Sequence, residues 1–435
     1  MIRRRAARAA ALSLVLAAPW GAGAEQRRPC SAPAIFPGAY VQSLVLPYRY
    51  TGQPDPELDR AGHQISAPIH FEVLTSLLKY GRVAGTQLVA PPGERCDPAE
   101  VIARVTRTLP RDHGLVVVWG RLYQEGEQYY VQTFVRFFRG GEHGPARESI
   151  SVPIRAGDRT LTLLGTLPTD TVAFPPRVIS REDVRAVNQA FTHAMVLRER
   201  PDPDAPGQPL TFSAEHAFPY AVTEARGGWL RLEPMESGPA GWVQASGASL
   251  GARSLRRWLP ELGFVEGAAA FLRLRGEEPA PEGTRAWMVA ALERFPGDAD
   301  EAPEAAGVAR ALRGFAAWTA PRQGEGRGEA ARMFAEARAR LPDHAAARNL
   351  AGVTAPFRDA PGGQEAPRLG APAVEALHRE LLGALALDPR DPAVLQNLAL
   401  LYEALATDPA AGNALPRAEA ARRLERVRAR QADLR

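Results

Sequence analysis

At 435 residues the chain exceeds what one hydrophobic core usually organises, so two or three domains are expected. The apolar share of 45% is ordinary for a globular protein, and the high Pro content of 39 residues points to helices broken by Pro-rich joints rather than one compact enzyme. The formal charge of +4 is matched by Arg3, Arg4, Arg5 and Arg8 alone, so the rest of the chain is neutral by the same count and the basic balance is poor evidence for a nucleic-acid partner.

Those arginines open a leader-like segment. They precede an apolar stretch from Ala9 to Ala18 and the small-residue step Ala22-Gly23-Ala24, which reads as a secretory signal peptide over residues 1–24 with cleavage before Glu25. An uncleaved anchor is the alternative, but the apolar run is well short of the roughly 20 residues a spanning helix needs. No later segment is apolar for long enough, so no spanning segment is expected after cleavage. The expected location is periplasmic or secreted. In that setting the two cysteines, Cys30 and Cys96, read as one disulfide.

Residues 25–175 are expected to form an α/β domain. "YVQSLVLPYRY" is strand-like, and Ile65, Ile69, Val73, Leu77 and Leu78 share one helical face. "TQLVAP" reads as a second short strand, and Asp97-Pro98 as the N-cap and first residue of a helix presenting Val101, Ile102 and Val105. "GLVVVWGRLYQEGEQYYVQTFVRFF" reads as a hairpin turning at Gln-Glu-Gly-Glu. That order implies a sheet covered mainly on one side. More strand-like pieces follow from Ser149 to Phe174.

The stretch from "LVLPYRY" through "FEVLTSLL", with "VVVWGRLYQEGEQYYVQTFVRF" after it, resembles the N-terminal domain of the TolB protein and its relatives. The carrying features are Leu46-Pro47-Tyr48 at the end of the opening strand and Trp119-Gly120-Arg121 before the hairpin. The resemblance covers about a quarter of the chain and implies periplasmic protein contacts rather than catalysis.

Residues 176–205 are expected to be one helix, "SREDVRAVNQAFTHAMVLRER", with Ser180 and Asp183 in capping-box spacing, followed by the linker "PDPDAPGQP". Residues 206–250 give short strands broken by Gly and Pro. "FPYAVTEARGGWLRLEPMESGPAGWV" resembles a bacterial Src-homology-3-like module ending on Gly241-Trp242-Val243, which implies a small β-barrel. Trp242, Tyr220 and Trp229 are its candidate ligand-groove residues. Strand-embedded aromatics more often pack than bind, and Trp229 is the one expected to be packed, Trp242 the one facing the groove.

A helical connector over residues 251–283 leads to helices over 284–435. "EAARMFAEARARLP" places Ala330, Phe334 and Ala337, and "AVLQNLALLY" places Leu395, Leu398, Ala399 and Tyr402, at the spacing of second and first helices of a tetratricopeptide repeat. "ARNLAGV" and "LQNLALL" match each other as first helices, and "LHRELLGALALDP" supplies another second helix. The resemblance to tetratricopeptide repeats implies a concave face for an extended or helical peptide. Arg422, Arg423, Arg426, Arg428 and Arg430 of the last helix read as a solvated face partly offset by Glu419 and Glu425.

Catalytic readings are weak. "GASLG" fits the nucleophile-elbow pattern around Ser249, but the only later histidines, His344 and His378, fall on repeat helices. His63 and His70 lack a third ligand and any zincin spacing, so they read as solvated helix residues. No catalytic residue, metal or cofactor is expected. The fold class is thus a multi-domain α/β, small β-barrel and all-α chain. The function expected is an exported, non-enzymatic scaffold or adaptor of the cell envelope, binding protein or peptide, cell-wall peptide among the candidates, and no nucleic acid. The alternative is a cell-wall hydrolase or amidase, or its accessory subunit, targeted by the Src-homology-3-like module.

Overall fold

A computed structural model describes residues 35–36, 38–87, 97–141, 144–146, 148–168, 171–189, 192–213, 220–226, 229–234, 238–244, 259, 261–295, 302–320, 326–358, 366–408, 411 and 415–434. It is a mixed α/β protein with an N-terminal mixed sheet, small sheets beside it, and a C-terminal run of packed helices.

The first sheet is built on β1 (Val41–Val45), which lies between two parallel neighbours, β3 (Val83–Gln87) and β4 (Gly114–Glu125). Parallel neighbours need crossovers, and two helices provide them. They are α1 (Pro56–Leu77) between β1 and β3, and α2 (Pro98–Thr108) between β3 and β4. The side chain of Asp55 accepts from the backbone N–H of Glu57 and Leu58, so α1 starts well before the apolar stripe that announces it. Asp97 accepts from Ala99 N–H at 2.8 Å and caps α2 as expected. A hairpin joins β4 to β5 (Gln128–Gly141) through Gly126, whose φ of 60° a two-residue turn requires. Short strands β2 (Arg49–Thr51), β6 (Gly144–Ala146), β9 (Val172–Ala173) and β10 (Arg177–Ile179) extend the sheet.

Both faces of this sheet are covered, which corrects the one-sided expectation. Val41, Val45, Val116, Val118 and Phe137 pack under α1 and under α4 (Leu262–Leu274). Leu44, Leu46, Leu115, Val117 and Phe138 pack with Val101, Ile102 and Val105 of α2 on the other side. The sequence between 251 and 283, read as a connector, therefore supplies a core helix. The two steps that carry the TolB resemblance meet in space. A Cβ at Gly120 would lie 2.0 Å from the ring of buried Tyr48, whose hydroxyl is 3.1 Å from that of Thr133.

The Ser180–Asp183 capping box forms, with reciprocal bonds of 2.9 and 3.0 Å, and opens α3 (Arg181–Gln189). The helix does not run on to residue 200. Residues 192–198 form β11 (Thr192–Arg198), because pairing with β12 (Gly207–Ser213) offers the β-branched and apolar positions a partner that helix periodicity cannot show. "PDPDAPGQP", expected as a linker, mostly closes that hairpin. Its turn is held by Glu199 N–H donating to Pro206 and by Arg198 Nη1 donating to the carbonyl of Ala205 at 2.6 Å. With β13 (Tyr220–Arg226), β14 (Trp229–Pro234) and β15 (Gly241–Gln244) these strands make a five-stranded antiparallel sheet, ordered β12-β11-β15-β14-β13.

A third sheet holds β7 (Ser149–Ala156) and β8 (Arg159–Thr166), with β16 (Arg368–Leu369) beside β7. The remaining helices are α5 (Thr284–Arg294), α6 (Pro303–Trp318), α7 (Arg327–Arg340), α8 (Ala345–Arg358), α9 (Ala371–Leu387), α10 (Pro392–Thr407) and α11 (Arg417–Ala432). From α6 onward each packs on the next along the chain. Small residues set the spacing: a Cβ on Gly314 would meet the ring of Phe334 at 2.4 Å. Val152, Ile154, Leu161 and Leu163 of the β7–β8 hairpin join one buried cluster with residues of α1, α4 and α6 through α11.

Candidate functional site

Among the described residues of the helical run, polar groups stand in a defined geometry in several places. One is the face of α8 and α10 covered by the β7–β8 hairpin. Strand β8 is an edge strand, so the N–H and C=O of Leu164 that point away from β7 need partners. Asn397 of α10 supplies both: its Oδ1 accepts from Leu164 N–H and its Nδ2 donates to Leu164 C=O, each at 2.8 Å. Asn349 of α8 donates to the same carbonyl at 2.8 Å and accepts from Asn397 Nδ2 at 2.9 Å. A Cβ at neighbouring Gly165 would lie 2.6 Å from Leu350, so the hairpin backbone seats directly on α8.

Another is a cleft on the same helices. Helix α10 packs against both α9 and α11, and the space between those two is a cavity of about 350 Å³. Its apolar lining comes from Leu382 and Leu385 of α9, Leu398 and Tyr402 of α10, and Val427 of α11. Leu398 and Tyr402 are buried, whereas Leu382 is 37% exposed. Tyr402 is fixed by a 2.9 Å hydrogen bond shared with Nε2 of His378. Burial, and then the charge of Arg423, push the His378 imidazole below its ordinary value, and burial raises the Tyr402 phenol.

One wall of the cleft is cationic. Arg423, Arg426 and Arg430 line it with Glu419. Glu419 accepts from Arg423 Nε at 2.7 Å and from Arg422 Nη2 at 2.6 Å, and it lies 3.8 Å from Arg426. Hydrogen bonds from Arg423 and then Arg422 hold its pKa down to about 2. One carboxylate faces three guanidinium groups there, so the wall keeps surplus positive charge, to which exposed Arg430 adds. Arg428, in contrast, turns to Glu403 of α10 at 2.9 Å. The arrangement suits an apolar group that carries an anion.

Ala330, Phe334, Ala337, Leu395, Leu398 and Tyr402 are buried between helices, and Ala399 packs half-buried against them. No motif of the sequence announces the asparagine clamp, although Asn349 and Asn397 head the Asn-Leu-Ala that "ARNLAGV" and "LQNLALL" share. That shared asparagine was the available signal.

Of the two tryptophans, Trp242 is more covered than a groove-facing residue would be. Trp229 and Trp242 are 9% and 7% exposed, so the groove-facing role given to Trp242 has no exposed ring behind it. Trp242 pairs with Arg231, which alternates onto the face of Trp229, so both rings lie on one side of the sheet. Trp242 sits between Arg198 and Arg231 in register, with the Arg226 guanidinium 5.7 Å from its ring centre. Tyr220 pairs with Pro234, at the far end of the β13–β14 pair from Trp229, about 20 Å along the strand.

The two histidines also part company. His63 is partly exposed, 4.0 Å from Asp59. His70 is fully buried rather than solvated, because α1 turns it toward Gly85, whose missing Cβ makes the room. Burial lowers its pKa to about 3. Among the described residues no group of three His, Cys, Asp or Glu is placed to hold a metal, and no helix is long and apolar enough to cross a membrane. Cys30, Cys96 and Ser249 lie outside the described residues. Comparison with protein-family models, with curated proteins and with solved structures finds no match to this chain.

Proposed function

We propose that this chain is an exported, non-enzymatic adaptor of the cell envelope that binds a protein or peptide partner. The observation that carries the reading is the asparagine clamp. Two helices carrying matching segments hold an extended backbone through side-chain amides, and hydrogen bonding to main-chain groups is a general way to bind an extended peptide. Here it is used on the chain's own hairpin, leaving the cleft between α9 and α11 as the open surface for a partner. The TolB-like sheet and the five-stranded sheet, read as a Src-homology-3-like module, fit an adaptor that gathers several contacts. The leader-like start and the even number of cysteines, Cys30 and Cys96, support a location outside the cytoplasm.

Fractionation of a bacterium expressing the full gene tests this. The protein should be recovered from the envelope with its N-terminus near Glu25 and both cysteines blocked to alkylation, and cross-linking there should yield a defined partner. Intact Met1 in the cytoplasm, or turnover of a cell-wall substrate by the purified chain, would sink the reading.

A further inference from the structure

We propose that the cleft between α9 and α11 is the docking site for an acidic amphipathic segment of a partner protein. Its apolar side chains would lie on Leu382, Leu385 and Val427, and its carboxylates against Arg423, Arg426 and Arg430. The inference rests on the adaptor reading above and names the chemistry of the partner.

Three observations converge on this cleft. The helix face that holds peptide backbone is already filled by the β7–β8 hairpin, through Asn349 and Asn397. Exposed apolar surface reaches the cleft at Leu382 of α9, which lines it while 37% exposed. The charge is one-sided, since Glu419 is shared among Arg422, Arg423 and Arg426 while Arg430 lines the same wall. Bare hydrophobic contact would select partners poorly. A cationic wall beside an apolar floor selects a segment with acids flanking Leu or Phe and repels a basic one. A membrane surface is the lesser fit, because the apolar residues line a slot between two helices rather than the convex face of one amphipathic helix.

The test uses the purified full chain and two fluorescein-labelled synthetic peptides. One carries Leu and Phe at helical spacing among Asp and Glu; its twin carries Lys at every acidic position. Fluorescence anisotropy should show binding of the acidic peptide only, weakened as salt is raised from about 50 to about 500 mM. Joint Arg426→Glu and Arg430→Glu exchange should reduce affinity at least tenfold with an unchanged melting temperature, since both side chains are exposed. Leu382→Arg should do the same through the floor. If Leu382→Arg fails to fold, the arginine pair alone decides. Equal binding of the two peptides, or wild-type affinity in the arginine pair, overturns the proposal. So does binding to phosphatidylglycerol vesicles with none to the acidic peptide, which would assign the wall to a membrane. A partner cross-linked in the envelope equally well by the Arg426→Glu, Arg430→Glu protein would leave the adaptor reading standing and remove this cleft from it.

Discussion

Asn397 and Asn349 sit at the same place in two matching helix segments and donate to a single carbonyl, that of Leu164, while bonded to each other at 2.9 Å. Side-chain amides thus finish the outer edge of a strand that is paired on its other side to β7. Asn397 makes three of the four bonds in this cluster and Asn349 two, sharing the one between them.

Asn397→Ala should therefore be the more damaging change. It strands the Leu164 N–H against a helix, and an unsatisfied buried group costs about 1–3 kcal/mol. Asn349→Ala leaves Leu164 paired through Asn397 and should cost less. Urea unfolding of both single variants and the double should show clear non-additivity, because the residues share a network. Additive losses would mean the two asparagines act separately.

Gly120→Ala should be among the most harmful small changes in the first sheet. The new Cβ would sit 2.0 Å from the Tyr48 ring and 2.7 Å from the carbonyl of Gln132. Overpacking of this kind costs about 1–3 kcal/mol, and more when backbone is the obstacle. Tyr48→Ala should cost less in Gly120→Ala protein than in wild type, read from melting temperature, since there it also removes the nearer clash.

Trp229→Ala and Trp242→Ala should destabilise alike. Each ring is almost wholly covered, and truncating a buried Trp costs about 3–5 kcal/mol. Thermal unfolding of the two variants checks this. A harmless Trp242→Ala would restore an exposed, ligand-facing role for that ring.

Glu261 gives a pH signature. It is buried beside Arg177 at 2.7 Å, and burial raises its pKa from 4.5 to about 7 against the opposing pull of that arginine. The folded state resists ionising this acid more than the unfolded chain does. Its contribution is therefore intact below pH 4.5 and is lost as pH rises toward 7 and beyond. His70 works in the opposite direction. Its folded pKa near 3 against an ordinary 6.5 makes stability fall as pH drops below 6.5. Relative to wild type, Glu261→Gln should gain stability progressively between pH 4.5 and 7, measured by chemical denaturation at each pH. A difference that stays flat across that window would show that Glu261 titrates normally in the fold.

The sequence by itself determined the local features. The Asp97 and Ser180 caps, the Gly126 turn, the apolar stripe of α1 and the small-residue spacing around Phe334 are all legible, because each depends on residues a few positions apart. It also carried the duplicated asparagine, though not its use. The tertiary structure decided what depends on distant partners. Leu164 and Asn397 are 233 positions apart, and neither local period nor propensity encodes which strand edge meets which helix. Residues 192–198 continue a helical pattern in isolation and become a strand only because β12 and β15 are there to pair with them. Trp242 looks like a groove residue after its turn, yet it is 7% exposed, on the face it shares with Arg198 and Arg231 of the strands to either side and with the Arg226 guanidinium 5.7 Å from its ring centre. The cleft arises in the same way. Its floor and its arginines lie on three helices, and only their packing angles leave room between α9 and α11.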